Sequence, residues 1–323
     1  MRSLAKLLLV IGAVISLAGA ARAEVGKLLT PVELAPLVEA GRVVVLDVRD
    51  TAPGEAGSPY EAGHIPGAVS VPYRKWRGPA ANSGQLPEHD ELEALVQRAG
   101  IDGAKPVVIV HAGSDATDFG TAARVYWTLA MLNLPELAIL NGGMGAWEQA
   151  GLPVSTEPVV VAPSSFETEP DLSLVATREE IEREIGSGGN GRLLDARPEG
   201  FFWGKLWHDA AHRPGTIPGA ANFTYTSWFP GGGPLIAPPE EARRIAQENG
   251  LDQTPITVSF CNTGHWAAIN WFALSELAGV PGVKLYPESV VDWSQAGLPM
   301  DHVPGRLEWL WLSTKKWFDA TFG

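Results

Sequence analysis

The chain of 323 residues contains a single cysteine, Cys261, so no intramolecular disulfide can form and stability must come from packed cores. Positive charge is also scarce: 24 lysines and arginines stand against 37 aspartates and glutamates, a formal net charge of −13. Without a Lys/Arg cluster, that balance argues against a nucleic-acid partner and against docking on anionic lipid. Any anion site must then be local, built from loop amides and a few cations. Long apolar runs are missing too. Leu7 to Leu17 falls short of the roughly 18 residues that a spanning helix needs, and no other stretch comes near it.

Arg2 and Lys6 precede that run and Ala21-Arg22-Ala23 follows it, the pattern of a secretory signal peptide over residues 1–23, cleaved near Ala23. Cleavage removes Arg2, Lys6 and Arg22 and no acid, which takes the formal charge from −13 to −16. The expected location is exported and periplasmic, with no transmembrane span in the mature chain. A lone thiol kept in an oxidising compartment is either buried or used.

What the chain does contain is organised around that thiol. The apolar, β-branched run Thr257-Val258-Ser259-Phe260 ends at Cys261; Asn262-Thr263-Gly264 follows, and an Ala/Trp-rich helical segment begins at His265. In a strand-loop-helix unit of this kind, the backbone N–H groups from Asn262 to Ala267 form a cup at the positive end of the helix, which stabilises a thiolate and any anion attached to it. Gly264 supplies the backbone freedom such a loop requires.

The length predicts two domains, and 45% hydrophobic residues suffice for two cores. An internal repeat supports this division. Val43 to Arg49 is answered by Arg192 to Arg197, Gly63-His64-Ile65-Pro66-Gly67-Ala68 by Gly215-Thr216-Ile217-Pro218-Gly219-Ala220, and Pro106 to Val110 by Pro255 to Ser259. Trp147 to Pro153 and Trp293 to Pro299 share Trp-x-Gln-Ala-Gly-Leu-Pro, at a near-constant offset. Within each copy, buried-looking strands alternate with amphipathic segments such as Asp90 to Arg98 and Glu240 to Asn249, so each half is expected to be an α/β domain on a mainly parallel sheet flanked by helices. The expected boundaries are 24–156 and 172–302. Glu157 to Asp171, with three prolines, is the linker, long enough for the halves to lie side by side with a cleft between them.

The Asp-x-Arg strand end, the Gly-His-Ile-Pro-Gly-Ala turn, the Cys-x-x-Gly loop before a helix and the Trp-x-x-x-Gly-Leu-Pro ending together resemble the rhodanese family of sulfurtransferases in its tandem form, from about Leu28 to about Pro299. The resemblance implies that Cys261 takes a sulfane sulfur from a small anionic donor, holds it as a persulfide and passes it to a thiol or to cyanide, with no cofactor and no metal. A sulfur carrier or partner-binding module without rapid turnover is the alternative. Aligning Pro106 with Pro255 puts Ala112 opposite Cys261, so the first copy is expected to serve as scaffold and cleft wall; the alternative is that His111, Ser114 and Asp115 face the site.

Asp195 and Arg197 are expected to orient the loop or contact the donor, and Arg213 to bind the donor anion. The chain also departs from the family pattern. Asn262 and Thr263 stand where thiosulfate-using members place cations, and Phe201 stands where mercaptopyruvate-using members have an arginine, leaving Lys205 as a possible substitute. His265 and Trp266 are bulky for their positions, which predicts a narrower, more aromatic pocket, and His265 is a candidate proton donor. A phosphatase on the same fold needs an arginine closing the cysteine loop, and Asn262 to Ala268 contain none. His208 and His212 have helical spacing but no obvious third metal ligand. The tail 303–323, with Trp309, Trp311 and Trp317 beside Lys315 and Lys316, is expected to fold back over its own domain. Whether the chain has a protein partner is left open.

Overall fold

Strands buried on both faces need continuous apolar side chains, and Val107–Val110 and Thr257–Phe260 are buried at every position. Each lies inside one of two parallel sheets in the computed structural model, which describes residues 25–322 except 53, 55, 188–190 and 254–256. The expected signal peptide and Pro255 lie outside the described residues. The first sheet runs β1 (Leu28–Leu29), β5 (Leu137–Leu140), β4 (Val107–Val110), β2 (Val44–Asp47), β3 (Val69–Ser70). The second runs β7 (Ala221–Asn222), β6 (Arg192–Asp195), β8 (Thr257–Phe260), β9 (Val283–Leu285). A bridge from Val175 to Leu285 occupies the place that β1 holds in the first sheet.

Helices cover both faces of each sheet. In the first half these are α1 (Pro31–Glu39), α2 (Pro59–Ala62), α3 (His89–Arg98), α4 (Ala116–Met131) and α5 (Gly143–Gln149). In the second they are α6 (Arg178–Ser187), α7 (Glu199–Phe202), α8 (Pro239–Glu248), α9 (His265–Trp271) and α10 (Ser289–Gln295), before a terminal α11 (Arg306–Phe322). Helix α1 starts where Thr30 and Glu33 form a capping box ahead of Pro31. Leu34, Met144 and Trp147 close one face of the first sheet, and Ile181, Val290 and Trp293 do the same for the second.

The opposite faces meet. Helices α4 and α9 pack together, and Phe119 and Tyr126 of α4 reach Phe272 with ring centroids 5.8 and 4.9 Å apart. Burial of each such ring contributes about 1.5–3 kcal/mol. The two halves therefore share one apolar core along α4 and α9. Close approach depends on Gly120, where a β-carbon would come within 2.6 Å of the His265 ring.

The repeated motifs have local bonding reasons. Arg49 forks onto Asp47 and donates to the Gly63 carbonyl at 2.7 Å, and Arg197 does the same with Asp195 and the Gly215 carbonyl at 2.8 Å. Each arginine thus ties a strand end to the Gly-x-Ile-Pro-Gly-Ala turn. The Trp147 and Trp293 indoles donate to the carbonyls of Pro153 and Pro299, closing the Trp-x-x-x-Gly-Leu-Pro turns.

Strand pairing corrects the alignment of the two copies by one residue. Asp47 pairs with Val110 and Asp195 with Phe260. The next carbonyls, those of His111 and Cys261, accept from Met144 and Val290. His111, not Ala112, occupies the cysteine position; a one-residue slip that sequence similarity tolerates would turn every strand side chain to the wrong face.

The linker is strapped to the first domain: Ser164 donates to the Ile101 carbonyl, and Thr168 binds Glu93 and His89. The tail departs from expectation. In α11, Leu307, Leu310, Trp311, Trp317 and Phe318 are exposed, Trp311 at 62%, while Leu312 and Ser313 are only half-buried. Every residue from Arg306 to Trp311 is exposed, polar and apolar alike, so this first stretch of the helix does not fold over its domain. Among the described residues no helix is long and apolar enough to cross a membrane.

Candidate functional site

Cys261 follows the last residue of β8, in the position where parallel sheets collect their ligands. Its N–H donates to the Ser289 hydroxyl at 3.0 Å, and that hydroxyl donates to the Tyr286 carbonyl. Ser289 pays for this with a left-handed backbone, φ +57°. The Asn262 carbonyl accepts from Val291. By contrast, the five amides from Asn262 to Trp266 hydrogen-bond to no other described residue. Gly264 caps α9 at φ +71°. A β-carbon there would overlap Arg124 Nη1 and the Pro287 carbonyl. Gly264→Ala is therefore expected to cost about 1–3 kcal/mol in a urea titration, and a midpoint equal to the parent's would contradict this packing.

The degenerate copy shows what such a loop selects. Asp118 Oδ2 accepts from the amides of Gly113 at 2.6 Å and Ser114 at 3.2 Å, and the His111 ring nitrogen Nδ1 lies 2.7 Å from it. Although burial opposes the charge, the His111 contact and the two amides hold the Asp118 pKa below the usual carboxylate range. In the first copy, then, an internal carboxylate fills the cup. The corresponding position after the α9 cap is Ala267, whose carbonyl accepts from the Ser259 hydroxyl, so the second cup is left for another anion.

Arg197 lies at the floor of the site, 1% exposed, gripping Asp195. Its Nη1 donates to Asn262 Oδ1 at 3.2 Å, and Thr216 donates to Asp195. Through the bond to Asn262 the pair is tied to the loop. Arg213 does not join it: its guanidinium donates to the Leu298 carbonyl. Lys205 is exposed after α7. Trp266 stacks on Tyr225 at 5.0 Å and meets Phe201 edge-on at 5.8 Å, making an aromatic wall.

The cations come from the first domain. Arg77 Nη2 donates to the Thr263 carbonyl at 2.8 Å. Arg124, fully buried, donates to the Gly84 carbonyl at 2.8 Å and lies 3.4 Å from the Gly264 carbonyl. Neither was singled out from the sequence. Arg124 did leave a signal, as the only charge in the apolar stretch Thr121-Ala122-Ala123-Arg124-Val125-Tyr126-Trp127, while Arg77 and Tyr73 left none.

His265 is locked rather than free to move protons. Since a carbonyl only accepts, the 2.8 Å contact with Thr117 O places the ring proton on Nε2. Nδ1 then accepts from the Tyr73 hydroxyl at 2.8 Å, which itself accepts from Arg77 Nη1. Burial, and next the Arg77 charge, bring the His265 pKa down to about 4. The unfolded chain, with an ordinary value near 6.5, takes up a proton that the folded one refuses. The stability this imidazole contributes is complete above pH 6.5 and is lost as pH falls toward 4. Melting temperatures of the parent should fall more steeply across that window than those of His265→Asn; parallel curves would contradict the assignment.

Access is the remaining feature. Cys261 is 1% exposed, and its side chain borders the shared core with Ala267 and Ala268.

The sequence profile of the rhodanese-like domain matches residues 30–150 and 177–296. A thiosulfate sulfurtransferase by name from Saccharopolyspora erythraea is 29% identical over 259 residues, covering 75% of this chain and 86% of its own. A Pseudomonas aeruginosa protein named as a probable 3-mercaptopyruvate sulfurtransferase is 31% identical over 278 residues, 83% of this chain and 94% of its own. Among solved structures, the 3-mercaptopyruvate sulfotransferase SseA of Escherichia coli superposes with a TM-score of 0.69 at 22% identity, over 82% of this chain and 99% of that one. With the same fold twice, the same motifs twice and one cysteine loop, the chain belongs to the rhodanese-like domain family, in its tandem form, and groups with the sulfurtransferases.

Proposed function

We propose that Cys261 is the nucleophile of a two-step sulfur transfer. Its thiolate attacks the outer sulfur of a small anionic donor; the new S–S bond forms as the donor's bond to that sulfur breaks, and the bonding pair leaves with the donor remnant. A thiol or cyanide then takes the outer sulfur and the thiolate is restored, so no external oxidant or reductant is needed. The observation that carries this reading is the pair of loops: one copy spends its amides on Asp118, and the other presents five unspent amides beside a cysteine. Those amides suit the thiolate, the persulfide and the departing anion alike. Trp266 Nε1, a buried donor with no partner among the described residues, adds to the polarity of the wall.

Within this reading Arg197 and Asn262 hold the loop, and Gly264 and Ala267 shape it. Thiosulfate-like and mercaptopyruvate-like donors both remain in the class, since Arg213 is engaged by the Leu298 carbonyl and Lys205 is exposed. The test is sulfur transfer to cyanide from thiosulfate, mercaptopyruvate and a low-molecular-weight persulfide. At least one donor should sustain turnover. The near-complete burial of Cys261 favours a second reading, a sulfur carrier that opens to a partner. Stoichiometric loading without turnover by any donor would select it. We also propose export with cleavage near Ala23, which predicts a mature chain beginning at Glu24; N-terminal sequencing that finds another start would overturn it.

A further inference from the structure

Arg124 poses a problem of charge balance. Its guanidinium is fully buried, reached by carbonyl oxygens of Gly84 and Gly264, and lies over the Trp127 ring at 5.0 Å, but it enters no ion pair among the described residues. Its Nε is buried with no partner among the described residues. Burying a cation without an anion costs several kcal/mol, so a counter-charge is called for. Arg124 Nη1 reaches the carbonyl of Gly264, on the loop that follows Cys261; Tyr73, Cys261 and Glu288 favour its charged form and Arg77 opposes it, as it opposes that of His265. Burial and then Arg77 bring its pKa down to about 9, which leaves it charged at neutral pH. Tyr73 is held in its neutral form by burial. Glu288 is half-buried, its pKa raised first by burial and next by Asp292, and it accepts only a long contact from Asn82.

We infer that Arg124, carried by the first domain, is the counter-charge of the Cys261 sulfur in its anionic forms, thiolate and persulfide. The inference rests on the proposed sulfur-transfer role of Cys261. It explains how a loop with Asn262 and Thr263 in place of cations works: helix α4 delivers the cation across the domain interface, and Gly264 is small enough to admit it. The first copy is therefore half of the site and not only its scaffold.

Because Cys261 is the sole cysteine, alkylation reports on this one sulfur. In the unaltered protein, the rate with anionic iodoacetate relative to neutral iodoacetamide should exceed the ratio for free cysteine. Arg124→Gln should lower that ratio about tenfold, the effect of roughly 1.4 kcal/mol, with Arg124→Lys in between. A parent ratio no greater than that of free cysteine overturns the inference without any variant, and so does a folded Arg124→Gln that matches the parent. If a persulfide forms but charge discrimination is absent, only the Arg124 pairing fails. If discrimination is present but no donor loads sulfur, the transfer reading fails and the pairing stands.

Discussion

Cys261→Ser is expected to reduce sulfur transfer by at least about three orders of magnitude while leaving the fold intact. The hydroxyl is close in volume to the thiol, and the position is buried against Ala267 and Ala268, so packing changes little. Chemistry changes completely. A serine hydroxyl at neutral pH is not an anion, makes no persulfide, and offers the amides of Asn262 to Trp266 nothing to stabilise. The variant should therefore melt near the parent and fail with every donor. Residual transfer at the parent's rate would mean that another group carries the sulfur, and no other thiol exists in the chain.

Arg197→Met should produce the largest loss of stability, about 3–5 kcal/mol, because it strands Asp195 as a buried carboxylate without its cation. Both side chains are essentially sealed from water, and the arginine also holds the Gly215 carbonyl and Asn262 Oδ1. Two consequences are separable. Urea midpoints report the broken ion pair, and the transfer rate per folded molecule reports release of Asn262 from its tether. Arg49→Met provides the contrast: the same fork onto Asp47 and Gly63 is lost, but the residue opposite Asn262 in the first copy is Ala112, which has nothing to hold. Arg49→Met should thus lower stability, somewhat less because its side chain is 8% exposed, and spare the rate. Equal effects of both variants on the rate would contradict the loop-orienting role.

The duplication and fold class could be read from the sequence because each motif closes on itself. Asp195 and Arg197 are two residues apart, Trp293 reaches a carbonyl six residues on, and Cys261 is followed at once by its own loop and helix. Arg213 was misplaced because the irregular loop before Gly215 gives no periodicity, and its direction is fixed by Leu298, which is distant in sequence. The first domain's contribution was hidden for a related reason. Tyr73, Arg77, Gly84 and Arg124 reach the loop only once α4 and α9 have packed, and helix-on-helix packing is determined by complementary surfaces rather than by spacing. His265 illustrates the limit: its residue type made it a candidate proton donor, whereas the Thr117 carbonyl and the Tyr73 hydroxyl hold it as a neutral strut.

The central claim is that Cys261 is the atom on which sulfur rests, and intact-mass spectrometry of the whole protein tests it most directly. After incubation with each donor and removal of excess, the chain should gain the mass of one sulfur atom, lose it again on adding cyanide, and gain nothing when Cys261 is serine. An unchanged mass with all donors, or an equal gain in the serine variant, would contradict it.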